Sequence, residues 1–197
     1  TFRRHPDDYE SWLGHRSLVK LNYGSQRLRD AMYRSPDSIM RRWLHPPYRI
    51  DGWRLDVANM TARQGVVQLA HEVWREMRRA VKNDQPQAYL FGENFYDGTP
   101  HLQGDELDAV MNYQGFTIPV WRWLRDPGTP RIHPLDHNHP LPAEAVAEHW
   151  ARFQAAVPWA ITRQQFNQLG SHDTPRILTL LNNHKDVLRL AAVLLMT

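Results

Sequence analysis

The strongest hydrophobic pattern in the chain runs from residue 64 to residue 82. Val66, Leu69, Ala70, Val73, Trp74, Met77 and Val81 recur at intervals of three and four, with Arg75, Glu76, Arg78 and Arg79 between them. Apolar positions at that period line one face of a helix, so an amphipathic helix is predicted with its charges on a solvated face. Asn83-Asp84-Gln85-Pro86 then stops it. Four shorter runs lack the helical period and read as strands: 49–57, 88–92, 108–113 and 165–169. Helical patterning returns at 25–45, where Ser35-Pro36-Asp37 resembles a helix start, and in a Trp-rich stretch ending near Leu124. It returns again at 143–156, after Thr174-Pro175, and at 187–196. Residues 1–23 and 126–142 read as loop.

From 49 onward, strands and helices therefore alternate. That order predicts parallel strands joined by helical crossovers, an α/β fold. Asp51-Gly52 resembles a hairpin turn, but its flanks are not two comparable strands. Four β/α units amount to half of a (β/α)8 TIM barrel, a fold that places its chemistry at the C-terminal ends of its strands.

Acidic residues sit at those ends. In Gly52-Trp53-Arg54-Leu55-Asp56-Val57, strand alternation points Arg54 and Asp56 to one side and Trp53, Leu55 and Val57 to the other. A carboxylate beside a guanidinium is held ionised, as a nucleophile at neutral pH requires. Glu93 closes the 88–92 run, and His172-Asp173 follows the 165–169 run. Three acids at three strand ends suggest glycoside chemistry.

Composition narrows the alternatives. The absence of cysteine excludes a disulfide framework and thiolate metal sites. A net charge of +3, with dispersed basic residues, argues against a nucleic-acid partner. No apolar run reaches the roughly 18 residues of a membrane span, so no membrane association is expected and a cytoplasmic location is inferred. Eight Trp and seven Tyr supply faces for sugar rings, although core packing accounts for most of them. Trp53, Phe95 and Tyr96 lie near strand ends, with packing at least as good an account of each. His133, His137 and His139 fall in a Pro-rich loop whose spacing fixes no metal geometry. Asp7, Asp8 and Glu10 offer oxygens for calcium, but a solvated loop is the preferred reading, and no cofactor or metal is expected.

These segments resemble the alpha-amylase family of retaining glycoside hydrolases. Asp51-Gly52-Trp53-Arg54-Leu55-Asp56-Val57 is similar to its strand-four motif, Phe91-Gly92-Glu93 to its strand-five motif, and Gly170-Ser171-His172-Asp173-Thr174-Pro175-Arg176 to its strand-seven motif. Leu18-Val19-Lys20-Leu21-Asn22 and Met111-Asn112-Tyr113-Gln114-Gly115-Phe116-Thr117 point to the neopullulanase, cyclomaltodextrinase and maltodextrin-glucosidase branch, most closely the last. Met60 stands where many amylases have His and many neopullulanases Glu, which fits the same branch. Motifs in this order are a far stronger signal than any one alone.

The resemblance implies a partial (β/α)8 TIM barrel over about strands four to seven. Residues 1–23 would be a remnant of the loop domain inserted after strand three, and 24–197 a partial catalytic barrel truncated at both ends. It implies that Asp56 is the nucleophile and Glu93 the acid/base, with Asp173 completing the catalytic set. Arg54, His172, Trp53 and Asn59 would contact an alpha-glucan oligosaccharide. For retention the Asp56 and Glu93 carboxyls should lie about 5–5.5 Å apart. Arg54 would lower the pKa of Asp56, and burial or nearby acids would raise that of Glu93. The expected activity is retaining hydrolysis of alpha-glucosidic bonds. The alternatives are transglycosylation and a non-catalytic sugar-binding or inactive fragment. An open half-barrel exposes strand edges and apolar faces, which points to aggregation or a homodimer.

Overall fold

A computed structural model describes residues 3–5, 8–131, 134 and 139–197. The chain divides into two units, residues 1–92 with 105–107, and residues 93–104 with 108–197. Of the loop residues weighed and set aside as metal ligands, His133, His137 and Asp7 lie outside the described residues. Asp8 pairs with Arg16 at 3.3 Å. Among the described residues, no helix is long and apolar enough to cross a membrane.

In the first unit, strand β1 (Gly52–Leu55) and strand β2 (Tyr89–Gly92) are joined by helix α1 (Ala70–Asp84). The strands pair in parallel, Gly52 with Tyr89 through Leu55 with Gly92, so Asp51-Gly52 is no hairpin turn. A Cβ at Gly52 would lie 2.0 Å from the Tyr89 carbonyl oxygen, so only glycine lets the two backbones meet there. Helix α1 buries Ala70, Val73, Trp74, Met77 and Val81.

The helix begins later than its hydrophobic pattern. Arg63–Gln64 and Val67–Gln68 form a small antiparallel hairpin, with Gly65 at φ +54° in its turn. Val66, counted in the apolar stripe, sits there 99% exposed. Ser35 also departs from expectation. It closes the turn Asp30–Arg34 in extended conformation, as the residue before a proline prefers, and the next helix is Ile39–Arg42.

The charged face of α1 is only partly solvated, contrary to its reading as a wet face. Glu76 accepts from Tyr33 Oη at 2.7 Å, from Arg34 Nη2 at 2.7 Å and from Arg29 Nη1 at 3.2 Å. Arg29 is buried and also pairs with Glu72. Burial pushes the Glu76 carboxyl up. Hydrogen bonds from Arg34 and Tyr33, with the charges of Arg29 and Arg34, more than reverse this and leave it below the ordinary carboxylate value. At the end of the helix, Arg41 grips Asp84 through Nε at 2.8 Å and Nη2 at 2.6 Å. These pairs fasten α1 to the segment spanning residues 26–42.

In the second unit, strand β3 (Ala109–Val110) is followed by a five-residue π-helical turn, Tyr113–Thr117, and helix α2 (Ile118–Leu124). Helices α3 (Ala143–Ala156) and α4 (Lys185–Met196) complete the larger elements. Phe116, Val120 and Ala191 form a buried cluster, with Leu124, Trp150, Leu169, Ile177, Leu194 and Leu195 packed around it. Phe116 and Trp150 stack with centroids 6.1 Å apart.

The strand predicted at 165–169 is reduced to one parallel bridge, Met111 with Phe166. Side chains take the place of a ladder. Thr117 Oγ1 donates to the Gln168 carbonyl at 2.8 Å, and Trp121 Nε1 to the Leu169 carbonyl at 2.9 Å. Asn112 donates its backbone N–H to the Phe166 carbonyl at 3.0 Å and its side-chain amide to Asn167 Oδ1 at 2.8 Å. The helix expected after Thr174-Pro175 starts at Ile177 and ends at Leu180.

Two testable outcomes arise from the first unit. Gly52→Ala should destabilise the fold by about 1–3 kcal/mol, because the added methyl meets backbone that cannot step aside; urea denaturation of the complete polypeptide measures this. Glu76 has a folded pKa below its ordinary 4.5, so its contribution is full above that value and is lost as pH falls through the lowered one. Glu76→Gln should cost about 1–3 kcal/mol at neutral pH. It should also flatten the loss of stability below pH 4.5, read from thermal midpoints across an acid series.

Candidate active site

Of the predicted site residues, Trp53 and Arg54 lie in β1, Asp56 and Asn59 in the turn after it, Glu93 directly after β2, and His172 and Asp173 in the turn that follows residue 170. Asp56 is the first residue beyond β1, and Arg54 Nη1 donates to its Oδ1 at 2.6 Å, so the two side chains share a side as alternation predicts. The Asp56 side chain is 75% exposed. An exposed pair of this kind adds little stability, about 0–1 kcal/mol, so its consequence is orientation of the carboxylate. Val57 then adopts a left-handed conformation (φ 44°, ψ 44°), rare for a β-branched residue, and the chain turns through Ala58–Met60.

That turn packs against the end of β2. A Cβ at Gly92 would lie 2.7 Å from Ala58 Cβ, so the absent side chain makes room for the turn after Asp56. Asn59 is half-buried within the turn. Trp53 lies on the other side of the strand, and its indole N–H donates to the Met40 carbonyl at 3.1 Å. Its polar atom is thereby committed to packing, the reading that competed with sugar contact.

Glu93 follows Gly92 directly and is 4% exposed. The next residues are held by the π-helical turn. Phe95 stacks on Tyr113 with centroids 4.4 Å apart, and Gln114 Nε2 donates to the Phe95 carbonyl at 2.8 Å. Tyr96, by contrast, is exposed. Asn112 sets the position of the turn, its side-chain oxygen accepting from Gly115 N–H at 3.0 Å.

His172 and Asp173 lie in a cross-braced turn. Ser171 N–H donates to Thr174 Oγ1 at 2.7 Å, and Asp173 N–H donates to Ser171 Oγ at 3.1 Å. His172 Nε2 lies 3.1 Å from Asp173 Oδ2, and both side chains are exposed. The Tyr113 hydroxyl donates to the same Ser171 Oγ at 2.7 Å.

Burial pushes the Tyr113 hydroxyl up. Hydrogen bonding with Ser171 and Gln168 works against this, and the negative charges of Glu93 and Asp173 add to the rise. One phenol thus feels the charges of both candidate carboxylates, Glu93 and Asp173. The first unit holds Arg54, Asp56, Trp53 and Asn59; the second holds Glu93, His172 and Asp173. Asn112, Tyr113 and Ser171 stand within motifs quoted from the sequence, but nothing in the sequence alone assigned any of them a role at the site. The available signal was an Asn three residues before a Gly, a capping spacing, directly after a short buried strand.

Comparison with known proteins identifies the family and the fold. The sequence matches the family described as "Alpha amylase, catalytic domain" over residues 1–197. It is 37% identical over 159 residues to a maltogenic alpha-amylase of Bacillus acidopullulyticus, covering 81% of this chain and 23% of that protein. It is 38% identical over 133 residues to a cyclomaltodextrinase of Geobacillus thermopakistaniensis, covering 68% of this chain and 19% of that protein. The crystal structure of a Nostoc punctiforme debranching enzyme superimposes with a TM-score of 0.80 at 30% identity, over 100% of this chain and 38% of that one. The chain thus spans about a fifth to a quarter of the length of these curated relatives. It belongs to the alpha-amylase family, and its alternating strands and helices are a portion of the (β/α)8 barrel of that family's catalytic domain.

Proposed function

We propose that the polypeptide carrying this chain hydrolyses alpha-glucosidic bonds in maltodextrins or related alpha-glucans, with retention, through a covalent glycosyl-enzyme. The observation that carries this reading is the Arg54–Asp56 contact at the end of β1. It lies one residue beyond a registered pair, Leu55 with Gly92, whose other strand runs on into buried Glu93. Membership of the family and the names of the relatives, a maltogenic amylase and a cyclomaltodextrinase, supply the substrate class.

The Asp56 carboxylate attacks the anomeric carbon as the bond to the leaving oxygen breaks, and Glu93 gives that oxygen its proton. A water then returns the sugar to solution. Glu93 takes its proton, and its oxygen displaces Asp56 from the anomeric carbon. Arg54 holds Asp56 in line. His172 and Asp173 hold hydroxyls of the reacting sugar, with contacts that strengthen as the ring flattens. The two carboxyls enter the first step in opposite protonation states. Their surroundings differ accordingly: one is exposed beside a guanidinium and the other is buried.

Glu93→Gln in the complete polypeptide should lower turnover of maltotriose by roughly 10²–10⁴-fold while leaving binding intact. Unchanged turnover removes Glu93 from the acid/base role. Proton NMR of the fresh product should show the alpha anomer first; a beta product excludes retention. Oligomers longer than the substrate in the product mixture would assign transfer in place of hydrolysis.

A further inference from the structure

The second unit contains a buried tyrosine that joins two segments ending in proposed functional carboxylates. Tyr113 is fully buried, yet its two ends do different work. The ring stacks on Phe95 at 4.4 Å, two residues after Glu93, and the neighbouring Gln114 fixes the Phe95 carbonyl. The hydroxyl donates to Ser171 Oγ at 2.7 Å, and that oxygen also accepts the Asp173 backbone N–H at 3.1 Å. A single rigid side chain therefore spans from the loop after Glu93 to the turn that presents Asp173. Core packing alone would be served as well by phenylalanine, because the ring carries all of the apolar burial. The buried hydroxyl donates to Ser171 Oγ, and that bond ends on the turn carrying a proposed sugar-gripping acid.

We propose that Tyr113 is a positioning residue that sets the Glu93 loop and the Asp173 turn relative to each other through its stack on Phe95 and its hydrogen bond to Ser171. This rests on the retaining reaction assigned above. Tyr113 touches no substrate in this scheme. It acts by keeping the Asp173 turn at the height where that carboxylate meets the reacting sugar. The negative charges of Glu93 and Asp173 both act on the Tyr113 hydroxyl. Transition-state contacts tolerate little displacement, so loss of the hydroxyl should appear in kcat and leave KM nearly unchanged.

The test compares Tyr113→Phe, Ser171→Ala and the double variant in the complete polypeptide, with maltotriose as substrate. Tyr113→Phe keeps the ring and its stack and removes only the hydroxyl. We expect kcat to fall roughly tenfold to a hundredfold, the loss that small misplacements produce, with KM within about twofold. Ser171→Ala should reproduce that loss, and the double variant should be no worse than either single one, because both remove the same link. Thermal midpoints report packing separately. If Tyr113 serves the core alone, Tyr113→Phe keeps full kcat, and that result overturns the proposal. Losses that multiply in the double variant overturn it too, since they assign the two residues to independent roles. If Tyr113→Phe does not fold, Ser171→Ala decides: a reduced kcat at unchanged thermal midpoint supports the link, and wild-type kcat removes it. Failure of the functional reading looks different. The unmodified polypeptide would then leave maltotriose uncleaved, or Glu93→Gln would be fully active.

Discussion

The first unit depends on two short strands whose backbones meet with no side chain between them at one end. Gly52 faces the Tyr89 backbone where any other residue would clash, and this sets the register. Parallel pairing then carries both strands to the same level, Leu55 opposite Gly92. Because β1 is registered along its whole length, the residue that follows it, Asp56, is fixed in height by hydrogen bonding well inside the unit. Helix α1 holds that pairing by burying its apolar face and by pairing its charges with the preceding helical segment. The local geometry at Asp56 is thus an outcome of packing at the far end of the strand.

The second unit solves a related problem by other means. Its last strand-like segment makes a single bridge, so backbone pairing alone cannot position the turn from Ser171 to Thr174. Instead, the Asn112 backbone N–H bonds to Phe166, side chains of Asn112, Thr117 and Trp121 bond to Asn167, Gln168 and Leu169 in turn, and Tyr113 reaches Ser171. Buried bonds of this kind are costly to break, because each leaves a polar group without water. The resulting segment is fixed by its neighbours and carries almost no ladder of its own.

This explains which parts of the sequence were legible. Strands β1 and β2 and helices α1, α3 and α4 announce themselves because periodicity reflects burial on one face. Asp56, Glu93 and Asp173 stood out because each follows a strand-like run and stands in a short contiguous motif. Val66 misled because its spacing suits a helix while Gly65 turns the chain beside it. Ser35 misled because a serine before proline can end one helical turn as readily as it begins another. The charges of α1 read as a wet face because their partners lie some 40 residues away in sequence, at Arg29, Arg34 and Arg41. The lacing from Asn112 to Trp121 was hidden for the same reason. A bond from a side chain to a distant carbonyl leaves no period and no composition bias, and the sequence shows only the donors.

The same distinction bears on where the proposed chemistry sits. Arg54, Asp56, His172 and Asp173 face solvent, whereas the groups that aim them, Gly92, Asn112, Tyr113 and Ser171, are largely enclosed. A hydroxylated ligand suits such a division. Exposed charges exchange hydrogen bonds with water for hydrogen bonds with hydroxyls at little net cost, provided the charges need not move to make the exchange. Holding them still falls to buried contacts, which are insulated from solvent and from salt. Precision in the exposed residues is therefore a property of the buried ones, and under the proposed glycoside chemistry substitutions at these enclosed positions should weigh on rate although they touch no sugar.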